Sequence, residues 1–214
     1  MRTLLIILSI LTVQVGCEKA NVADDNDDVF PNKVGDTWTY LVDDTSYLLF
    51  GPPTITQYTL TVSVVDTITL PDGVHAKVWA YNSPTGRDTN YVFQRSDTVF
   101  FTSKHLSVYM DIIRRYIIPF ALNNSWAYSW ISPPFAPYPV IVTVVSRSNI
   151  TVGGNTFENA SHIVGRTGKP DDILGLDEWV ATNVGIVKRY VENTNTINPY
   201  KYRNKWSLVS YHLE

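Results

Sequence analysis

The chain has 214 residues, of which 17 are Lys or Arg and 20 are Asp or Glu, for a net charge of −3. Five acidic residues against Lys19 lie between Glu18 and Asp28, so from Val29 onward 15 acidic residues balance 15 basic ones. A neutral domain without a basic stripe excludes nucleic acid as the expected partner, and a single cysteine excludes an intramolecular disulfide.

The N-terminus reads as an export segment. Met1-Arg2 is followed by ten largely apolar residues, Leu4 to Val13. That run is too short to cross a bilayer, which takes about 20 residues, and suits a signal peptide spanning residues 1–16. Gly16-Cys17 closes it. The arrangement resembles a bacterial lipoprotein signal, in which a small residue precedes a cysteine that becomes lipid-modified; Gln14 stands where that pattern carries Leu, Val or Ile. The resemblance implies lipidation of Cys17 and attachment to the membrane through that lipid. Residues 17–28 read as an acidic tether. Similar acidic runs follow the lipidated cysteine in lipoproteins carried to the outer face of the outer membrane. Glu18 does not match the aspartate of the inner-membrane retention signal. The expected location is the outer membrane, on its periplasmic or surface-exposed face.

Residues 29–214 read as one β-domain. A strand begins at Trp38-Thr39-Tyr40, and Gly51-Pro52-Pro53 interrupts the chain. Tyr58, Leu60, Val62 and Val64 alternate with polar residues, the pattern of a half-buried antiparallel strand. Asp66 continues the apolar face, and a bulge near Val64-Val65 is expected to turn it outward. After Pro71-Asp72-Gly73, the residues Val74, Ala76, Val78 and Ala80 alternate on the return. Asn82 to Asp88 reads as a loop, and Ser96-Asp97 as a hairpin turn. Over about residues 104–116, Leu106, Tyr109, Met110, Ile113 and Tyr116 fit one face of a short helix; Arg114 and Arg115 leave an extended segment open.

The opening of the domain then returns. Phe30-Pro31, a turn and Trp38-Thr39-Tyr40 recur as Ile118-Pro119, a turn and Trp126-Ala127-Tyr128. Trp38 and Trp126 are 88 positions apart, as are Tyr91 and Trp179. Two anchors with one offset point to duplication, with halves at about 29–103 and 117–191 and an unmatched C-terminal strand over Lys201 to Leu213. The expected fold is all-β: an antiparallel barrel-like or two-layer structure of about ten or eleven strands, with at most one short helix.

These motifs are similar to those of small secreted lipoproteins of unknown function from Gram-negative bacteria. The phrases are the repeated Pro-x-x-x-Gly-x-x-Trp and the Trp179 to Lys188 stretch. Asn123 replaces Gly35 in the second copy, a substitution left-handed turns tolerate. The resemblance implies no catalytic residues.

No chemistry-bearing constellation stands out. His75, His105, His162 and His212 have no ligand spacing, so no metal site is expected. Asp171, Asp172, Asp177 and Glu178 read as a solvated acidic loop. Thr85-Gly86-Arg87 and Thr167-Gly168-Lys169 read as hairpin loops rather than phosphate cradles. No cofactor is implied. The candidate ligand contacts are aromatic: Trp38 with Tyr40, Trp126 with Tyr128, and Trp130, Phe135 and Tyr138 around a proline-rich loop. Residues two apart on a strand share a face, so each pair either packs a core or offers a platform. The reading is a non-enzymatic, lipid-anchored envelope domain that binds a ligand or partner. One alternative is a carrier or sensor of an apolar ligand held in a barrel cavity. Another is a surface glycan-binding or glycan-hydrolysing accessory protein.

Overall fold

The structure, a computed structural model, describes residues 30–47, 51–70, 73–103, 113–130, 140–167, 174–193 and 201–214. The signal segment, Cys17 and the acidic tether lie outside these residues, as do Asp171, Asp172, Phe135 and Tyr138.

Alternating, β-branched and aromatic sequence dominates the described chain, and it folds accordingly into strands. In chain order they are β1 (Thr37–Tyr47), β2 (Thr54–Thr69), β3 (His75–Ser83), β4 (Gly86–Arg95), β5 (Thr98–Ser103), β6 (Ile113–Ile117), β7 (Ser125–Trp130), β8 (Val140–Val152), β9 (Asn155–Thr167), β10 (Leu174–Ala181), β11 (Gly185–Asn193) and β12 (Lys201–His212). Each strand pairs antiparallel with its sequence neighbours. β1 also pairs with β12, from Thr37 opposite His212 to Tyr47 opposite Lys201, and this closes the sheet into an up-and-down barrel. Closure removes both sheet edges, which would otherwise expose unpaired backbone.

The class is as expected and the strand count is twelve rather than ten or eleven. The additional strand is β6. Its Ile113-Arg114-Arg115-Tyr116-Ile117 forms the described part of the segment expected to be helical; residues 104–112 lie outside the described residues. Paired to β5 and β7, these residues alternate with period two, which places Arg114 and Tyr116 on the inner face. Two further expectations change, the loop at Asn82 to Asp88 and the acidic loop at Asp177-Glu178. Asn82 to Asp88 is a tight hairpin turning at Pro84-Thr85. On β3, Trp79 and Tyr81 point inward opposite Val64 and Val62, and Ala76 and Ala80 on the other face are also buried. Asp177 and Glu178 lie on β10, not in a loop.

Bulges curve the wall. The β2–β3 register shifts between Val64 and Asp66, leaving Val65 and Asp66 exposed as expected, and the β8–β9 register shifts between Val144 and Ser146. The turns before β1 and β7 also correspond. Gly35 N donates to Val64 O at 2.9 Å, and Asn123 N donates to Val144 O at 2.8 Å. Both turn residues hold positive φ, 107° and 67°, which Gly and Asn accept most readily.

One barrel end is filled. Phe30 is 1% exposed and enters the interior, its ring 5.3 Å from Tyr116, 5.6 Å from Phe101 and 6.0 Å from Trp79. Trp38 stacks on Trp79 at 4.8 Å, and Trp79 Nε1 donates to Asn32 Oδ1 at 2.7 Å. Buried Asp36 ties the entry turn to the C-terminus: its Oδ2 accepts from Lys33 N at 2.7 Å and its Oδ1 from Glu214 N at 3.0 Å. Each buried ring contributes about 2–3 kcal/mol of burial, so this end is packed core. The other end, where β3 turns into β4, is not filled by any of the described residues.

Candidate functional site

The site begins with one row across the wall. On β10, Leu176, Glu178 and Val180 face inward, while Asp177 and Trp179 face out. Outside, His162 Nε2 lies 2.9 Å from Asp177 Oδ1, and Trp179 is sandwiched by the His162 ring at 4.2 Å and Lys188 Nζ at 4.4 Å. Inside, Glu178 is opposite Arg189 of β11, and Arg189 is opposite Trp206 of β12. Trp206 in turn is opposite Val42 of β1, which is opposite Tyr58 of β2. Directly opposed residues share a face, so strand register alone brings a carboxylate, a guanidinium, an indole and a phenol into one inner row.

Glu178 is fully buried. Tyr116 of β6 donates its hydroxyl to Oε2 at 2.8 Å, and Tyr128 of β7 donates to Oε1 at 3.0 Å. The two hydroxyl oxygens are 3.1 Å apart, and with both protons directed to the carboxylate neither remains for the other. Arg189 Nε lies 3.1 Å from Oε1, an ion-pair distance without hydrogen-bond alignment; that nitrogen has no hydrogen-bond partner. The Arg189 guanidinium instead covers the Trp206 ring at 5.0 Å.

These contacts set the protonation of the phenols. Burial, followed by the charge of Glu178, pushes Tyr116 well up and Tyr128 up to about 12. Burial likewise pushes Tyr40 far up. All three are donors at neutral pH. Arg114 enters from β6, its guanidinium 5.4 Å from the centre of the Phe101 ring. Burial by itself would lower its affinity for the proton. The oxygens of Tyr128, Tyr81 and Tyr116, together with Glu178, outweigh that and hold it above the ordinary arginine range.

In front of this network is a cleft of about 440 Å³, open to solvent at the unfilled end. Tyr58, Leu60, Tyr81, Asn90, Arg114, Arg189 and Trp206 wall it, and Ser83 to Asp88 of the β3–β4 hairpin form part of its rim. Trp206 Nε1 is buried and unpartnered. The lining is therefore rich in donors, and the carboxylate beside it already accepts from two tyrosines.

The aromatic candidates divide. Trp38, Tyr40 and Trp126 are buried in the core. Trp38 Nε1 donates to Val184 O at 2.7 Å and Tyr40 to Ile186 O at 2.8 Å, which ties β1 to the β10–β11 turn and the start of β11. Trp126 packs on Phe120 at 6.3 Å. Tyr128 is brought to the Glu178 network. Trp130 ends β7; Phe135 and Tyr138 fall in the β7–β8 connection, outside the described residues. Of the other site residues, Arg189 and Trp206 were not singled out from sequence, Glu178 was read as part of a solvated acidic loop, and Arg114 and Tyr116 as part of the segment left between helix and strand. The signal for Glu178 was its place between Leu176 and Val180 at period two. Among the described residues no cluster of three metal-ligating side chains occurs.

No protein-family model and no curated protein matches the sequence. Among solved structures, the chain is similar to a candidate lipoprotein of Parabacteroides distasonis, with 17% identity and a TM-score of 0.41, covering 86% of this chain and 98% of that one. It is also similar to a candidate exported protein of Bacteroides fragilis with a YmcC-like fold, with 15% identity and a TM-score of 0.35 over the same shares. Likenesses this distant carry no argument about what the chain binds or does.

Proposed function

We propose that the chain is a lipid-anchored envelope protein, held through Cys17 at the outer membrane, whose barrel admits a small polar ligand at its open end and binds it without chemistry. The observation that carries the ligand reading is the donor-lined cleft beside the packed core. Its volume is that of a small-molecule site, and its three arginines and two tyrosines do not suit an apolar cargo. The anchor reading rests on the Leu4–Val13 run and Cys17. The duplication reading is supported by the matching Gly35 and Asn123 turns and the matching bulges after Val64 and Val144.

The test has two parts. Cys17→Ser is expected to release the protein from membranes; a variant that stays fully membrane-bound overturns the anchor. The unaltered chain, extracted from its native envelope in mild detergent and then denatured, is expected to yield a small polar compound at about one per chain by mass spectrometry. Failure to retain any compound, from the envelope or from an added envelope extract, overturns the ligand reading.

A further inference from the structure

The cleft holds more cation, and more donors, than the barrel itself uses. Two arginines face it, Arg114 and Arg189, and one buried carboxylate, Glu178, stands beside them. The formal balance is two positive charges against one negative. Both oxygens of Glu178 already accept from tyrosine hydroxyls. The Arg114 side chain makes no ion pair or hydrogen bond among the described residues, and its guanidinium lies 5.4 Å from the centre of the Phe101 ring. Arg189 Nε and Trp206 Nε1 are buried without hydrogen-bond partners. Three donor groups from β6, β11 and β12 thus converge on one solvent-filled space. A half-buried guanidinium with no ion-pair partner of its own among the described residues and a buried indole N–H without an acceptor both cost stability, and one oxyanion relieves both costs.

We propose that the cleft binds a small organic oxyanion, a carboxylate or a phosphate monoester, between Arg114 and Arg189 with Trp206 Nε1 as an additional donor. Guanidinium groups match the planar, paired oxygens of both anions. Tyr58, Tyr81 and Leu60 supply walls for the organic part. Arg87 at the rim adds a cation, and its neighbour Asp88 offsets it. The inference rests on the reading that the cleft takes a ligand, and it narrows that ligand to an anion.

The experiment titrates the full chain in neutral detergent with benzoate, phenyl phosphate and the uncharged benzyl alcohol, using calorimetry and tryptophan fluorescence. At least one anion is expected to bind saturably at one site, and at least tenfold more tightly than benzyl alcohol. Which anion wins distinguishes a carboxylate ligand from a phosphate. Arg114→Gln, which breaks no ion pair among the described residues, is expected to weaken binding at least tenfold. Trp206→Phe, which keeps a ring but removes the N–H, should weaken it several-fold. Arg203→Gln, which removes an exposed cation paired with Glu192 away from the cleft, should leave it unchanged. Equal binding of benzyl alcohol overturns the anion and leaves the ligand reading standing. No binding by any probe overturns the anion as well, and the compound recovered from the native envelope decides the ligand reading separately. Wild-type affinity in a folded Arg114→Gln variant overturns the proposed geometry.

Discussion

Replacing Glu178 by Gln tests whether the barrel interior is organised around that carboxylate. The substitution keeps shape and volume, so no cavity term enters. It removes the charge that faces Arg189 at 3.1 Å and turns one acceptor into a donor. One of the two tyrosine hydroxyls that donate to Glu178 then meets an N–H and loses its partner. Removing one member of a buried ion pair costs about 3–5 kcal/mol. Arg189 keeps a side chain 14% exposed, toward the cleft, so solvent relieves part of that charge. We therefore expect Glu178→Gln to cost about 3 kcal/mol, read as a lower urea midpoint with an unchanged slope in tryptophan fluorescence. Adding Arg189→Met removes the stranded cation and is expected to restore about half of the loss, an interaction a double-mutant cycle measures directly. A cost below about 1 kcal/mol, or no coupling between the two substitutions, would refute the reasoning.

Alkaline pH probes the same network. The folded protein holds the Tyr128 proton to about pH 12, whereas the unfolded chain releases it near the ordinary value of 10.0. The stabilisation is complete below pH 10 and is lost as pH rises toward 12, by about 3 kcal/mol for this residue. Tyr116 adds to it in the same direction. Phenolate absorbance should show these two rings ionising only with unfolding, and Tyr128→Phe should flatten the alkaline loss of stability; if both rings titrate with the exposed tyrosines, the network is not buried as described. In the β8–β9 turn, adjacent glycines separate two causes. Gly153 has φ 58°, and a Cβ there collides with the Leu208 backbone carbonyl, so Gly153→Ala is expected to cost about 2–4 kcal/mol. Gly154 has φ 84° but open space, so Gly154→Ala should cost only about 1 kcal/mol. Equal losses in denaturant melts would refute the collision.

Local rules reached part of this protein. Alternation from Tyr58 to Val64 marks a strand because side-chain direction along an extended chain repeats every two residues, whatever the strand packs against. Gly153-Gly154 and Ser96-Asp97 mark turns because backbone conformation there depends on the residues themselves. Asp66 announced its bulge, since a carboxylate in an apolar row must be paired or turned out. The same rules failed at Glu178 and Arg114. A charge in an apolar row was read as solvated or as an interruption, although both lie in period-two rows. Asp66 and Glu178 look alike in sequence; the first has a bulge to escape through, while the second has Tyr116, Tyr128 and Arg189 to meet it.

By itself, then, the sequence determined an all-β domain of balanced charge, with most of its strands and turns in the right order and a repeated opening phrase. Composition, period and turn chemistry are local properties, and they survive without knowledge of neighbours. The tertiary structure alone decided that Thr37 meets His212, that the sheet closes, and that β10, β11 and β12 align Glu178, Arg189 and Trp206 in one row. Register between strands is a property of pairs. Arg114 acquired its place in the cleft only when β6 was paired between β5 and β7 and the barrel around it was shut.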